Sequence, residues 1–427
     1  MSQHDEADLA AIRVLQQLVE REGVEFVSSR GVSTLASAAS TFLLRQVGNR
    51  ERGAAFAAWL IDQVEVRDLY FDDDQLDALL GEVWDAQGQR GASPTVEARR
   101  ADLEALLCDA PDDLEHRLVY GDWLSAHHDP FGELIARQIA AASEPDDPTL
   151  AHAAAEYLRE RADALFGPLA EYLGSVVRPQ WHGGFIEAAT LGKPIDDPGP
   201  YEGAILLRWL LDHRAALLLR ELELHPFDRH WGRDQFRALL AVVFERPRPL
   251  LRRLTVGVDG DSGDAGELAR LDELLPGLEV LELRVRSASI ERLRHPTLRR
   301  LVWDSQLGPR QTAALAGFEL PALRSLRIPG SSDVDWLVHG SWRAGLEHLD
   351  LSGGGLQDHD ARLLARQPWP RLRRLDVSNN LLGPEGIALL ASLCPELVSG
   401  EQQPADDWDD PLADDDDDDE YYDSVME

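Results

Sequence analysis

The chain has 427 residues, of which 44% are hydrophobic and 28% are charged, enough to bury the cores of two or three domains. Its formal net charge is −35, and because affinity for phosphates depends on clustered Lys and Arg, direct nucleic acid binding is not expected. The two cysteines are too few for a framework of disulfides.

The sequence begins MSQHDEADLA, which is acidic where a secretory signal peptide carries basic residues before an apolar run. The most apolar stretch, AILLRWLLDHRAALLL at residues 204–219, contains Arg208, Asp212, His213 and Arg214, too many charges for a membrane span. We therefore expect a cytoplasmic protein without a membrane segment.

Residues 1–92 contain apolar side chains at helical spacing, in groups that begin at Leu9, Phe56 and Leu76. They contain no Gly-rich phosphate loop, no His or Cys pair at metal-binding spacing and no nucleophile motif. We predict a small helical bundle that serves as an adaptor or docking module. The following GQRGASP, residues 88–94, has the composition of a flexible linker.

The stretch RLVYGDWLSAHHDPFGELIARQ, residues 117–138, predicts two helices. The earlier one is expected to start at Pro111, and the later one to be capped by Asp129 and to begin at Pro130. Their predicted apolar sides are Leu114, Leu118, Trp123 and Leu124, flanked by Tyr120, and Phe131, Leu134, Ile135, Gln138 and Ile139. Packing and capping thus explain most of the stretch; a metal site of His127, His128, Asp129 and Glu133 is the alternative.

The same stretch resembles the signature of the bacterial repeat-companion domain, which usually has R-L-V-Y-A-D-W-L-E-E, a short turn, D-P-x-G-E-[FL]-I and a closing glutamine. The match extends over residues 98–139. Gly121 stands where the family usually has alanine, and Ser125 to His128 replace its acidic turn. The family has no defined biochemical activity, so the resemblance implies an architecture: a helical domain at residues 98–142 that accompanies an array of repeats.

The pattern LxxLxL recurs downstream, beginning at Leu219, Leu251, Leu278, Leu298, Leu323, Leu346 and Leu372. Most of the spacings fall in the range of leucine-rich repeats. The last unit, LRRLDVSNNLLGPEGIALLAS, resembles repeats of the ribonuclease-inhibitor and Ran GTPase-activating-protein type. We predict that residues 219–400 form an α/β leucine-rich repeat solenoid with a parallel β-sheet on its concave face, preceded by all-α N-terminal segments.

The regions on either side of the repeats are expected to cap them. Residues 149–218 are predicted to supply bridging helices and an N-terminal cap, made of a short strand in WHGGFIEAATL and the helix that follows. Ile387 to Leu397 should close the other end. Residues 401–427, with 14 acids and no base, are expected to form a disordered acidic tail that solvates the protein or docks to a basic partner or to its own arginines.

Side chains alternate along a strand, so the residues between the leucines should form outward columns across the sheet. The first predicted column is Glu221, Arg253, Val280, Arg300, Ser325, His348 and Arg374. The second is Glu223, Thr255, Glu282, Val302, Arg327, Asp350 and Asp376. Either the opposite charges only pair with one another, or they form a polar binding surface. The predicted partner-binding residues are Arg253, Glu282, Arg284, Arg300, Asp304, Arg327, His348, Asp350, Arg374 and Asp376.

These features favour a non-catalytic scaffold for protein–protein interaction, with protein partners of unknown identity and no cofactor or metal. An enzyme is the rival class, although the motifs GxSxG, HExxH, CxxC and GxxxxGK[ST] do not occur. A GTPase regulator is a third hypothesis, because the Ran GTPase-activating proteins also join such repeats to an acidic tail.

Overall fold

The computed structural model describes residues 94–192, 200–226, 235–258, 263–268, 270–304, 309–330 and 334–403. The chain divides into two compact units, Met1–Leu219 and Arg220–Glu427. The bundle predicted over residues 1–92 and most of the predicted acidic tail lie outside the described residues. Along the described ranges, none of the helices is both long and apolar enough to cross a membrane.

The described part of the first unit consists of helices and one β-hairpin. The helices are α1 (Pro94–Asp109), α2 (Leu114–Ala126), α3 (Pro130–Ser143), α4 (Pro148–Glu160), α5 (Ala162–Phe166) and α6 (Pro200–Asp212), with 3₁₀ turns at Gly167–Tyr172 and Arg214–Ala216. Strand β1 (Val177–His182) pairs antiparallel with β2 (Phe185–Leu191). Residues 98–142, predicted to be helical, contain helices and turns, and the hairpin lies within the predicted cap region, residues 149–218.

The hairpin also replaces the single strand predicted within residues 181–191. Gly183 and Gly184 have φ angles of 56° and 90°, which suit the two-residue turns that connect hairpin strands. Only glycine adopts such angles readily, so the Gly-Gly pair ends one strand and starts the next. The sequence contained this signal, but the residues before it were not recognised as a strand.

Helix α2 buries a different face from the predicted one. Its buried residues are Arg117, Tyr120, Gly121 and Leu124, at the spacing of one helical side. Leu114 and Leu118 are each 40% exposed, and Trp123 is only half-buried. The prediction followed hydrophobicity alone and therefore missed that an arginine belongs to the packed face.

Arg117 is 2% exposed because backbone carbonyls and an aromatic ring surround its guanidinium group. Its Nε donates to the Pro111 carbonyl at 3.2 Å, and its Nη1 donates to the His182 carbonyl at 2.8 Å. The guanidinium carbon lies 5.7 Å from the centroid of the Phe185 ring. Arg117 thus joins the loop before α2 to both strands of the hairpin, and burying its charge is offset by these contacts.

Aspartate caps fix the starts of α2 and α3. Helix α2 begins at Leu114 rather than at Pro111, because the side chain of Asp113 accepts hydrogen bonds from amides of the first turn. Helix α3 begins at Pro130, as predicted, and Asp129 accepts a hydrogen bond from an amide of its first turn. The predicted apolar stripe of α3 is buried, apart from a half-buried glutamine.

Two other residues of the 117–138 stretch also have packing roles. A Cβ atom on Gly132 would lie 2.3 Å from the Gly121 carbonyl oxygen, so α2 and α3 approach too closely there for any larger residue. Gln138 accepts a hydrogen bond from the Gly184 amide at 2.9 Å, which connects α3 to the hairpin turn. The residues that resemble the repeat-companion signature therefore hold helices and hairpin together.

The second unit is built on a parallel sheet with one strand for each repeat. Its strands, in spatial order, are β3 (Glu221–Leu224), β4 (Arg253–Gly257), β6 (Val280–Arg284), β8 (Arg300–Asp304), β9 (Ser325–Arg327), β10 (His348–Asp350), β11 (Arg374–Asp376) and β12 (Glu396–Val398). Strands β5 (Asp264–Glu267) and β7 (Ser287–Ser289) form a separate parallel pair. The predicted α/β architecture with a parallel sheet is confirmed for this unit.

Short helices connect many of the strands. They are α7 (Gln235–Val243), α8 (Leu271–Leu274), α9 (Pro309–Ala316), α10 (Asp335–His339), α11 (Asp358–Ala365) and α12 (Pro384–Leu390), with a 3₁₀ helix at Ser341–Gly345. The eighth strand, β12, was missed because Cys394 stands where the other repeats have leucine and Ser399 stands where they have a large apolar residue. Cys394 is nevertheless buried, at 8% exposure.

One column of leucines runs through the core of the second unit. Its members are Leu222, Leu254, Leu281, Leu301, Leu326, Leu349 and Leu375, all at most 2% exposed. They are successive partners in the register of the sheet. Burial of this column removes apolar surface from water at every repeat, which is the main stabilisation available to a stacked array.

A single asparagine supports the last repeats. Asn380 is 1% exposed; its Nδ2 donates to the carbonyls of Leu351 and Val377, each at 3.0 Å, and its Oδ1 accepts from the Leu356 amide at 3.1 Å. The earlier repeats lack asparagine at this place, so this network is specific to the C-terminal end.

A pair of leucine variants tests the face that α2 buries. Leu124 is 1% exposed and Leu118 is 40% exposed, on the same helix. We expect Leu124→Ala to lower the free energy of unfolding by about 2 to 5 kcal/mol, because it leaves a cavity, and Leu118→Ala by less than about 1 kcal/mol. Urea unfolding of the full-length variants measures both. Equal losses of unfolding free energy in the two variants would contradict burial of the face that contains Leu124.

The environment of His213 makes the free energy of unfolding depend on pH. Its Nε2 lies 2.9 Å from the Leu165 carbonyl oxygen, its Nδ1 accepts from the Ala215 amide at 3.1 Å, and the rings of Phe131 and Phe166 lie beside it. Desolvation lowers the pKa of His213 from 6.5 to about 4. The folded protein therefore holds this imidazole neutral at pH values where the unfolded chain would protonate it.

This difference predicts a loss of stability on acidification. The contribution of neutral His213 to the free energy of unfolding is present above pH 6.5 and is lost as the pH falls towards 4. Between pH 7 and pH 5 the loss should be about 1 to 2 kcal/mol. His213→Gln should show a correspondingly smaller change in urea midpoint than the wild type, whereas the exposed His152→Gln should keep the full change. The same pH dependence in all three proteins would refute this role.

Candidate binding face of the repeat sheet

The register of the sheet brings the two predicted columns together. In the first column, each of the seven residues is the Cα partner of the next, from Glu221 to Arg374, and the same holds in the second from Glu223 to Asp376. Arg284 and Asp304 are Cα partners two residues further along their strands, at the next position that faces the same side. We call these two columns, with Arg284 and Asp304, the open face.

A buried carboxylate lies at the centre of the open face. The side chain of Glu282 is 6% exposed, and three arginines surround it. Its Oε2 lies 2.6 Å from Arg284 Nη2, and its Oε1 lies 3.2 Å from Arg300 Nε and 3.5 Å from Arg253 Nη1. Glu282 was predicted to contact a partner directly. In the structure Glu282 is a buried counterion of these arginines, and its contact with a partner stays a prediction.

The neighbours of Glu282 in the same column are buried as well. Thr255 is 8% exposed and Val302 is 1% exposed, although both project from the open face. Arg253 extends this network, since its Nε lies 3.3 Å from Glu221 Oε2. Long arginine side chains can cover an apolar floor while their charged ends reach outward, and this part of the face has that character.

The other half of the open face is also paired internally. Arg327 Nε lies 3.3 Å from Asp350 Oδ2. Arg374 forms an ion pair with Glu396 and lies 3.9 Å from Asp376 Oδ2. The interpretation that opposite charges pair across the sheet is therefore correct for these residues. Pairing does not exclude binding, but it means that a partner meets charges that are already neutralised.

Two of the predicted contact residues have a second structural role. The Oδ1 of Asp350 accepts hydrogen bonds from the amide and the hydroxyl of Ser352, at 3.0 and 2.7 Å. Asp376 makes the same pair of bonds to Ser378, at 3.1 and 2.6 Å. The D-x-S sequence thus forms a side-chain turn at the end of each of these strands.

Three of the ten predicted partner-binding residues are exposed. Arg300 and Arg374 are exposed as expected, each with 45% of its side chain accessible, and His348 is also exposed. Arg253, Arg284, Asp304, Arg327, Asp350 and Asp376 are half-buried. Partner contact by any of these residues remains a prediction, and the exposed three are the first to test.

Sequence reasoning missed a further column, which lies immediately before the strands. We call it the basic edge; it consists of Arg220, Arg252, Glu279, Arg299, Arg324, Glu347 and Arg373. The carbonyl of each residue from Arg220 to Glu347 accepts amide hydrogen bonds from the next repeat; Arg220 O, for example, accepts from Arg252 and Arg253. The recurring L-R-R-L sequence was the available signal, but only its second arginine was assigned to a predicted column.

The alternative metal site in the first unit does not assemble in the structure. His127 Nδ1 lies 2.7 Å from the Trp123 carbonyl oxygen, Asp129 caps α3 and pairs with Arg214, and Glu133 lies 2.7 Å from Arg137 Nε. Within the part of the chain that the structure describes, no group of three His, Cys, Asp or Glu side chains is placed to hold a metal ion.

No model of a known protein family matches the chain, and no curated protein matches it. A crystal structure of a Bacteroides fragilis protein aligns over 60% of this chain and 84% of its own, with 17% identity and a TM-score of 0.38. The mouse RP105/MD-1 complex aligns over 45% of this chain and 35% of its own, with 18% identity and a TM-score of 0.28. An internalin from Listeria monocytogenes aligns over 46% and 65%, with 16% identity and a TM-score of 0.25.

The chain therefore spans less than two thirds of the last two structures. All three TM-scores are below 0.5, and the fold is defined by the strand register of the chain itself.

Reversing the charge of Arg300 or Arg374 tests the different roles of two equally exposed arginines. Arg300→Glu places a carboxylate beside buried Glu282, whereas Arg374→Glu faces the more exposed Glu396. We expect the loss of unfolding free energy to be larger for Arg300→Glu by about 1 to 2 kcal/mol, because burial strengthens like-charge repulsion. Thermal unfolding compares the two. A larger loss for Arg374→Glu would show that Glu282 is not the central counterion.

Proposed function

We propose that the protein is a non-catalytic binding protein and that the open face contacts a protein partner. The supporting observation is the register of the seven parallel strands from β3 to β11, which aligns mostly polar side chains in columns with steps of about 4.8 Å. Parallel sheets of stacked repeats offer extended surfaces of this kind, and a protein surface is the ligand class that such an area fits.

The network around Glu282 supports this proposal energetically. Arg253, Arg284 and Arg300 are already held by one carboxylate, so a partner would immobilise less side-chain freedom on binding than with mobile arginines. Their charges are largely compensated within the face. We therefore expect a partner that presents both donors and acceptors, rather than a surface of a single sign.

Residues 98–142 of the first unit are proposed to form a repeat-companion domain. The support is the sequence resemblance together with the observed roles of its residues: Arg117 and Gln138 reach the hairpin, and Gly132 allows two helices to approach. These are structural roles, so the resemblance adds an architecture and no reaction. The proposed docking role of residues 1–92 concerns a segment outside the described residues.

Partner capture with matched double variants tests the open face. We expect His348→Ala combined with Arg374→Ala to lower capture of the main partner from a native extract about tenfold, because both side chains are exposed on adjacent strands. The control is His359→Ala combined with Arg362→Ala, which changes an exposed histidine and an exposed arginine of helix α11. The control should capture the partner as the wild type does.

Deletion of residues 1–92 supplies the outcome that would contradict the proposal. If the partner is retained by the open-face variant and lost on this deletion, the N-terminal segment is the receptor. Equal losses in the open-face and control variants would also reject a specific role for the open face.

A further inference from the structure

The basic edge has a net charge of +3, from five arginines and two glutamates, in a chain whose net charge is −35. Its seven residues precede seven neighbouring strands of one parallel sheet, so the edge extends over six steps of about 4.8 Å, or about 29 Å. A linear array of cations over this distance matches an extended acidic segment better than a single small anion.

Two ion pairs along the basic edge are long and involve highly exposed arginines. Arg299 Nε lies 3.7 Å from Glu279, and Arg373 Nε lies 3.8 Å from Glu347. The two arginine side chains are 68% and 74% exposed. Exposed pairs of this length contribute little, so these arginines can accept further carboxylates at small cost.

The chain itself contains an acidic segment of suitable length. Residues 404–427 include thirteen Asp and Glu and no Lys or Arg. The residue before them, Gln403, donates its amide hydrogen to the Asn380 carbonyl at 2.8 Å, so the segment starts beside the last repeats. Its 24 residues can span up to about 80 Å when extended. This reach exceeds the length of the basic edge, about 29 Å, together with the length of a strand, which the segment must pass to reach the edge.

We propose that residues 404–427 bind along the basic edge of the same molecule. Each contact is an exposed ion pair, so the interaction is weak at each arginine and is maintained by tethering, which keeps the carboxylates at high effective concentration. It should weaken as salt shortens the screening length from about 10 Å at 0.1 M to about 3 Å at 1 M. The consequence is competition with any acidic partner for the edge, a property separate from binding at the open face.

Arginine-specific footprinting tests the proposal at single residues. The full-length protein and a variant that ends at Gln403 are treated with phenylglyoxal at low salt, and modification of each arginine is followed by mass spectrometry. We expect Arg299 and Arg373 to react about threefold more slowly in the full-length protein, because tethered carboxylates cover them. The difference should disappear at 1 M salt.

Arg159 and Arg362 are the matched internal controls. Their side chains are 75% and 48% exposed, each is in an exposed ion pair, and neither belongs to the basic edge. They should react equally in both proteins, because the segment is not expected to cover them. A second variant keeps the length of the segment but changes Asp414 to Asp419 into asparagine, and it should lose the protection as the deletion does.

Two results would overturn the proposal. Equal reaction of Arg299 and Arg373 with and without residues 404–427 would show that the segment does not cover the edge. Protection that decreases on tenfold dilution would show that the segment occupies a second copy of the chain. Neither measurement involves the partner, so its outcome is independent of the capture experiment on the open face.

Discussion

The repeat unit depends on the alternation of side chains along each short strand. Because successive residues point to opposite faces, a shift of one residue in the register would expose a buried leucine and bury an arginine. The leucine column from Leu222 to Leu375 therefore determines the register of the strand pairs from β3 to β11. Once that register is set, the positions of the open face and of the basic edge follow without further information.

The two surfaces created by this register differ in how their charges are compensated. On the open face, Glu282 is removed from water and is compensated by three arginines, so the arginines are ordered by the protein itself. At the basic edge, the Arg299 and Arg373 pairs are longer than those of Glu282, and these two arginines are more exposed. The same residue type thus serves as an internal structural element in one column and as an accessible charge in the adjacent one. Distance and burial, rather than the number of arginines, distinguish the two roles.

The first unit uses arginine in a third way. Arg117 is buried among carbonyl groups and an aromatic ring, and it connects α2 with a hairpin that is 65 residues further along the chain. Such a residue cannot be replaced by a hydrophobic one without leaving carbonyl groups unpaired. The same reasoning applies to Gly132, since the separation of α2 and α3 leaves no space for a side chain. Both residues of the 117–138 stretch thus have packing roles in the folded unit.

Patterns that repeat along the chain could be predicted from the sequence. The LxxLxL units located seven of the eight strands in the sheet, and their alternation assigned both columns of the open face correctly. Capping signals located the start of α3, because Asp129 and Pro130 act on backbone groups only a few residues away. Local chemistry was sufficient in these cases, since the interacting groups are close in sequence or separated by a repeated distance.

Contacts between residues that are distant in sequence could not be predicted. The strand that Glu282 occupies was clear, but its burial depends on arginines from β4 and β8 that bend towards it. The buried face of α2 depends on a carbonyl group in a hairpin of which the sequence predicted only one strand. The sequence therefore determined the period, the strands and the direction of their side chains. Tertiary structure decided which charged groups are buried, because desolvation and ion pairing depend on neighbours that only the folded chain brings within a few ångströms.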